Sequence, residues 1–247
     1  MSDNPYAAPT TEVTPSAPAH HTIGTMPSPY GGYRDLKVFH VILLILFSLG
    51  IISALGEIYA AELMNQGLTL LDEGGDFEAT INQADALSQS FNGLSVTLFF
   101  VTVIFWGIWK NKSCKNAWLF YSHSALPNHF ADNPTPGWSV GYYFVPILNL
   151  WKPFQAMAFI RDQSSGFTKV GPLLGFWWAG WLVMNFYSRY TAKMDTGFTS
   201  TTQAISFNNN LITESIITIV ASFLAAAVIH QLSVAQKRKA RDLGALS

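Results

Sequence analysis

Four long apolar runs constrain this chain more than any other feature. They are "VFHVILLILFSLGIISALG" from Val38 to Gly56, "LSVTLFFVTVIFWGIW" from Leu94 to Trp109, "GPLLGFWWAGWLVMNFYSRY" from Gly171 to Tyr190, and "LITESIITIVASFLAAAVIHQL" from Leu211 to Leu232. A helix crosses the hydrocarbon core of a bilayer with about 17 to 25 predominantly apolar residues, and each run meets or approaches that length. None alternates with the period of two of a membrane-barrel strand, so helical spans are expected. Composition agrees, since charged residues make up 12% of the chain, about half of the rough quarter usual in soluble domains.

The expected layout follows from these runs. Residues 1–33 are rich in Pro, Ala, Ser, Thr and Gly without an apolar run, and read as a disordered cytoplasmic tail. A basic start and an apolar core are both absent there, so no secretory signal is expected. A docking arm is the functional alternative to a plain tether, and His20 and His21 lack further ligands for a metal. A helical membrane domain is expected over 34–235, with spans at 38–57, 94–110, 171–190 and 211–232, and a basic cytoplasmic tail over 236–247.

The segment "PGWSVGYYFVPILNLWKPFQ" from Pro136 to Gln155 sets the topology. Pro146 and Pro153 each remove a helical N–H and clash with the preceding turn. Two short helices are therefore expected, Trp138 to Val145 and Leu150 to Arg161, with the Asn149 side chain bonding carbonyls freed at the break. Broken helices sit at membrane depth only against protein or a wet cavity. Basic residues decide whether 137–161 crosses. If it does not, Arg34, Lys37, Lys110, Lys112, Lys115, Lys152, Arg161, Lys169, Lys237, Arg238, Lys239 and Arg241 share one side, twelve of the 14 Lys and Arg. Arg189 and Lys193 are left opposite them with an acidic loop. This pattern satisfies the positive-inside rule with both termini cytoplasmic, so 137–161 is expected to be re-entrant or interfacial.

The same segment resembles the bacterial membrane family called domain of unknown function 4328. The residues that carry the resemblance are Pro136, Gly137, Val140, Gly141, Tyr142, Tyr143, Phe144, Pro146, Asn149, Leu150, Trp151 and Pro153, with Trp138 inside the run. The resemblance implies a bacterial inner-membrane location and brings no assigned activity. The acidic insert between the first two spans departs from the family pattern.

That insert, within 58–93, keeps helical spacing on both sides of Gly74-Gly75, with Asp76 placed to cap the second half. An extracytoplasmic helical hairpin is expected to continue the first two spans outward, Phe77, Ile81 and Ala84 facing Leu63, Leu70 and Leu71. Its carboxylates lack calcium-loop spacing. Gly171, Gly175 and Ala179, and on the last span Ala221 with Ala225 or Ser222 with Ala226, are small residues that let helices approach, within a subunit or between copies. Arg189 is expected to pair with Glu57 or Glu214, because unpaired charge at the hydrocarbon edge is costly.

Enzyme signatures are missing: no G-x-S-x-G, H-E-x-x-H or P-loop occurs. The single Cys114 cannot form an intramolecular disulfide. His123 and His129 lie beside it and Tyr121 on the cytoplasmic segment without a positioned acid, and His40 and His230 read as snorkelling or capping histidines near cytoplasmic helix ends. No catalytic residue, cofactor or metal is expected, and no basic stripe with interleaved aromatics points to nucleic acid. The expected fold is an all-α membrane protein of four transmembrane helices plus a Pro-broken re-entrant or interfacial hairpin. Its expected role is a non-enzymatic scaffold or accessory subunit partnered by lipid, with a protein partner or a second copy on the small-residue faces. The alternative is a small channel or transporter with a solute path at Asn149.

Overall fold

The computed structural model describes residues 28–123, 133–165, 171–194 and 197–245, and every regular element among them is helical. The expected tail up to residue 27, with His20 and His21, lies outside the described residues, as do His129 and Lys169. The elements are α1 (Lys37–Asp72), α2 (Glu78–Ser122), α3 (Pro136–Gly141), α4 (Lys152–Ser165), α5 (Gly171–Met194) and α6 (Thr201–Asp242). Single 3₁₀ turns at Tyr142–Phe144 and Leu148–Leu150 join α3 to α4. Three helices, α1, α2 and α6, are long and apolar enough to cross a membrane. The 24-residue α5 is long enough, but Trp177, Trp178, Trp181 and Asn185 replace the aliphatic residues that dominate the other three.

The long helices outrun a bilayer. α1, α2 and α6 contain 36, 45 and 42 residues, which at about 1.5 Å per residue makes rods of roughly 54 to 68 Å against a core of about 30 Å. α1 and α2 form one hairpin. Its turn is a Schellman motif: Gly74 takes φ +71°, Gly75 N–H donates to Leu70 O at 2.8 Å and Gly74 N–H to Leu71 O at 3.2 Å. Asp76 is not the cap of the returning helix. Phe77 holds that position without a side-chain bond, and α2 starts at Glu78.

Small residues set the α1–α2 spacing. Ala60 and Ala84 are buried, and Ser53 Oγ donates to Phe91 O at 3.2 Å. Leu71, expected on this seam, is 39% exposed instead. A Cβ on Gly56 would overlap the Phe91 ring, and one on Gly67 would lie 2.6 Å from Ile81 Cγ1 and 3.3 Å from Ile81 N. Gly67→Val is accordingly expected to pry the outer hairpin apart at about 1 to 3 kcal/mol. Limited proteolysis should then cut at Glu73–Gly75 faster than in the parent; an unchanged rate would mean that the seam yields at Ile81 without strain.

α6 runs antiparallel to α1 along nearly its full length. Thr201 Oγ1 donates to Asp72 Oδ1 and Oδ2 at 2.8 and 2.7 Å, Asn208 Nδ2 to Asn65 Oδ1 at 2.9 Å, and Ser215 Oγ to Glu57 Oε2 at 3.2 Å. The last helix thus begins ten residues before the expected span and joins the outer hairpin as its third rod. Ser200 caps it, accepting from Gln203 N–H while Gln203 Oε1 accepts from Thr199 N–H, a reciprocal capping arrangement. On α5, Gly175 and Ala179 face outward, and the glycine packed on α6 is Gly180, within 3.4 Å of Leu224 for an added Cβ. Gly175 and Ala179 therefore do not make the α5–α6 contact, whereas Ala221 and Ala225 are buried as expected for packing within the subunit.

Candidate functional site

Residues 133–165 fold over one end of the bundle, where α1 starts and α2 and α6 finish. Thr135 opens α3 as its N-cap, its Oγ1 accepting from Trp138 N–H at 3.3 Å, and Pro136 takes the first helical position, where its missing N–H is harmless. Val140 sits against Gly107 of α2, 3.4 Å from where a Cβ would be. Gly141 leaves space for the Trp138 ring, whose face stacks on Tyr142 at 5.4 Å between centroids. Gly137 has open space at its Cβ position.

The chain breaks at Pro146, which is exposed between the two 3₁₀ turns. Pro153 does not break a helix: it is the second residue of α4, a position where proline is tolerated. Asn149 does not bond the freed carbonyls. Its Oδ1 is buried without a partner, while its backbone N–H donates to Val145 O at 2.8 Å. Phe144 and Ile147 are 73% and 70% exposed, and Trp138, Leu150 and Trp151 extend the same apolar edge.

Beneath this edge lies a buried lysine. Lys110 of α2 is fully buried, its Nζ 3.0 Å from the Tyr143 hydroxyl, 3.4 Å from Pro153 O and 4.3 Å from the Tyr143 ring centroid. Its partners here are neutral. An ammonium out of water is costly unless it is bonded, and the hydroxyl, carbonyl and ring face supply that compensation. The segment is thereby fixed to α2 through the Lys110 amine. Aromatic rings close the arrangement: Trp109 meets Trp106, Trp106 meets Trp177, Trp178 stacks on Trp181 at 4.7 Å, and Trp181 meets Tyr143 edge-on.

A second polar node ties four elements together. Asn116 Oδ1 accepts from Arg34 N–H at 2.8 Å, and its Nδ2 donates to Arg34 O and to Gln236 Oε1, both at 2.9 Å. Gln236 Nε2 donates to Ser113 O at 3.0 Å and to Ser164 Oγ at 3.1 Å. The strap before α1, helix α2, helix α4 and the end of α6 thus converge on two side-chain amides. Tyr33 on the strap stacks on Phe120, and burial, then Asp35, pushes its hydroxyl pKa up. Lys239 donates to Gln163 O at 2.6 Å, and burial lowers its pKa.

The remaining expected groups fall elsewhere. Arg189 is exposed, and no ion pair joins it to Glu57 or Glu214 among the described residues; Glu57 is instead bonded by Ser215. Cys114 is buried against Pro134 O at 3.4 Å, and the His123 ring meets Leu119 O rather than the thiol. No group of three or more His, Cys, Asp or Glu that could hold a metal is found among the described residues. Lys110, Asn116 and Gln236 were not singled out from sequence as a site. No sequence signal marks them, because they stand among other polar residues at the basic helix ends.

Together these features define a class: an all-helical protein with membrane-length helices and a Pro-broken cap over their basic end. The chain belongs to the family described as Domain of unknown function (DUF4328), whose profile matches residues 75–234. The matched stretch runs from the hairpin turn into the polar end of α6 and holds the whole cap; α1 precedes it. No curated protein and no solved structure matches the chain.

Proposed function

We propose that the chain is a multi-pass scaffold or accessory subunit of the bacterial inner membrane, without enzymatic activity. In this reading α1, α2, α5 and α6 each cross the bilayer, 137–161 lies in or along the cytoplasmic face, and both termini are cytoplasmic. The observation that carries it is the sorting of the ends. Hydrogen bonds from Thr201 to Asp72 and from Asn208 to Asn65 hold the α1–α2 and α5–α6 turns together. At the far end gather Arg34, Lys37, Lys112, Lys115, Lys237, Arg238 and Arg241, the asymmetry expected of a cytoplasmic face.

The apolar edge from Trp138 to Trp151 suits headgroups and acyl chains, which makes the cap an interfacial element. Its underside is filled: Trp109, Met157, Phe159, Ile160 and Leu174 are all buried there. Filled interiors suit a platform for other proteins, and the outward Gly175 and Ala179 offer a face for a second copy or a partner helix. The observation that favours a solute path instead is the buried, unpartnered Asn149 Oδ1.

Thiol accessibility in intact cells tests the reading, with cysteines placed singly at Glu73, Thr199 and Lys237 in a Cys114→Ser background. These positions are exposed, so silence would reflect sidedness rather than burial. Glu73 and Thr199 should react with a membrane-impermeant reagent, and Lys237 only after permeabilisation. If Lys237 labels from outside while Thr199 is shielded, the cap crosses the bilayer and the solute path replaces the scaffold.

A further inference from the structure

Two histidines far apart in sequence meet on the α1–α6 seam. His230 Nδ1 lies 3.3 Å from His40 Nε2, with ring centroids 5.2 Å apart and planes inclined at 52°. His40 occupies the first turn of α1, at the basic end, and is half-buried; His230 is exposed. Each lies two residues inside the basic end of its span, 38–57 or 211–232, at the headgroup level, where ions from solution reach. Neither ring has another hydrogen bond or an ion pair among the described residues.

A separation of 3.3 Å is long for a hydrogen bond from a ring N–H, which clusters near about 2.9 to 3.0 Å for N–H···O. It matches another geometry. Two imidazole nitrogens at about 2.0 to 2.1 Å from a tetrahedral zinc ion stand about 3.3 to 3.4 Å apart. We propose that His40 and His230 form a two-imidazole site for a divalent transition metal of the zinc class, clamping α1 to α6. His40 binds through Nε2 and keeps its proton on Nδ1; His230 binds through Nδ1 and keeps its proton on Nε2. Water fills the other positions. With two protein ligands the affinity is expected to be micromolar, below that of closed structural sites with four.

The clamp is placed where it can matter. α1 and α6 share the longest seam after the α1–α2 hairpin, and its other bonds, from Ser215 to Glu57, from Asn208 to Asn65 and from Thr201 to Asp72, all lie toward the turn end. A metal at His40 and His230 would close the seam at its opposite end. Ligands that bind only the folded state raise its apparent stability by mass action, so the site has a readout independent of any activity.

The test is a zinc titration of the full-length protein, purified in detergent and stripped with a chelator, read by competition with a fluorescent zinc indicator and by thermal unfolding. One zinc per chain and a higher melting temperature with zinc are expected. His40→Ala and His230→Phe should each weaken binding by more than about ten-fold and abolish the thermal shift; the second retains an aromatic ring on an exposed position and so preserves the fold. His20→Ala/His21→Ala and His123→Ala should bind as the parent does. No zinc-dependent shift in the parent, equal affinity in His230→Phe, or loss of binding only in His20→Ala/His21→Ala would each overturn the proposal.

Discussion

Trp109→Ala is expected to lower the unfolding free energy by about 3 to 5 kcal/mol, the range for truncating a large buried aromatic side chain. Trp109 is fully buried and sits where α2, α5 and α6 meet: its ring contacts Trp106, which contacts Trp177, and its Nε1 donates to Ser233 Oγ at 3.0 Å. Truncation opens a void and strands a buried hydroxyl. Trp109→Phe separates the two effects, keeping most of the volume while removing the donor, and should lose about 1 kcal/mol from the bond plus a smaller packing term. Denaturation in mixed micelles, followed by circular dichroism, measures both. Equal losses for Ala and Phe would mean that the hydrogen bond, not the packing, holds the junction.

The second large effect belongs to Asn116. Asn116→Ala removes three hydrogen bonds at once and leaves Arg34 N–H, Arg34 O and Gln236 Oε1 without their partner. Unmade bonds at buried groups cost about 1 to 3 kcal/mol each, and partial rehydration of the strap reduces the sum to about 2 to 4 kcal/mol. The strap should also loosen, so proteolysis before Leu36 should accelerate more than cutting at the hairpin turn. Gln236→Ala shares one of these bonds, and the double variant should lose less than the two single losses combined. Strict additivity would show that the two amides act separately.

Much of this architecture was legible in the chain because apolar runs and glycine pairs act locally. The hairpin turn at Gly74 needed only a residue content with positive φ, and the proline segment stood out because unusual residues recur at fixed spacing. Other features depend on partners distant in sequence. The run "NNN" at Asn208 to Asn210 has weak helix propensity, and α6 passes straight through it. Asn208 and Asn209 each bond Asn65, and Asn210 Oδ1 accepts from Tyr187, so tertiary bonds outweigh a weak propensity. Lys110 looked like one more basic residue on a helix end. It is buried only because Tyr143 and Pro153, 33 and 43 residues on, close over it. Pro153 looked like a break and is instead a start, since a proline in a first turn and one in an interior are told apart only by where the helix begins. Arg189 followed a sound rule about unpaired charge, but an exposed guanidinium at a helix end reaches water and needs no carboxylate.

The amides at Asn116 and Gln236 also set an order of events during synthesis. The strap at Arg34 is among the first described residues to be made, and its docking site is completed by α6, the last helix. α1 likewise emerges first and finds its seam partner last. Until the chain has been translated past Gln236, α1 and α2 can pair with each other but the basic end stays open, with Asn116 lacking its partner on α6. Completion of the final helix is thus the step that closes the molecule, and a ribosome stalled before it would release a hairpin whose strap is held only by α2, through Asn116 and Phe120.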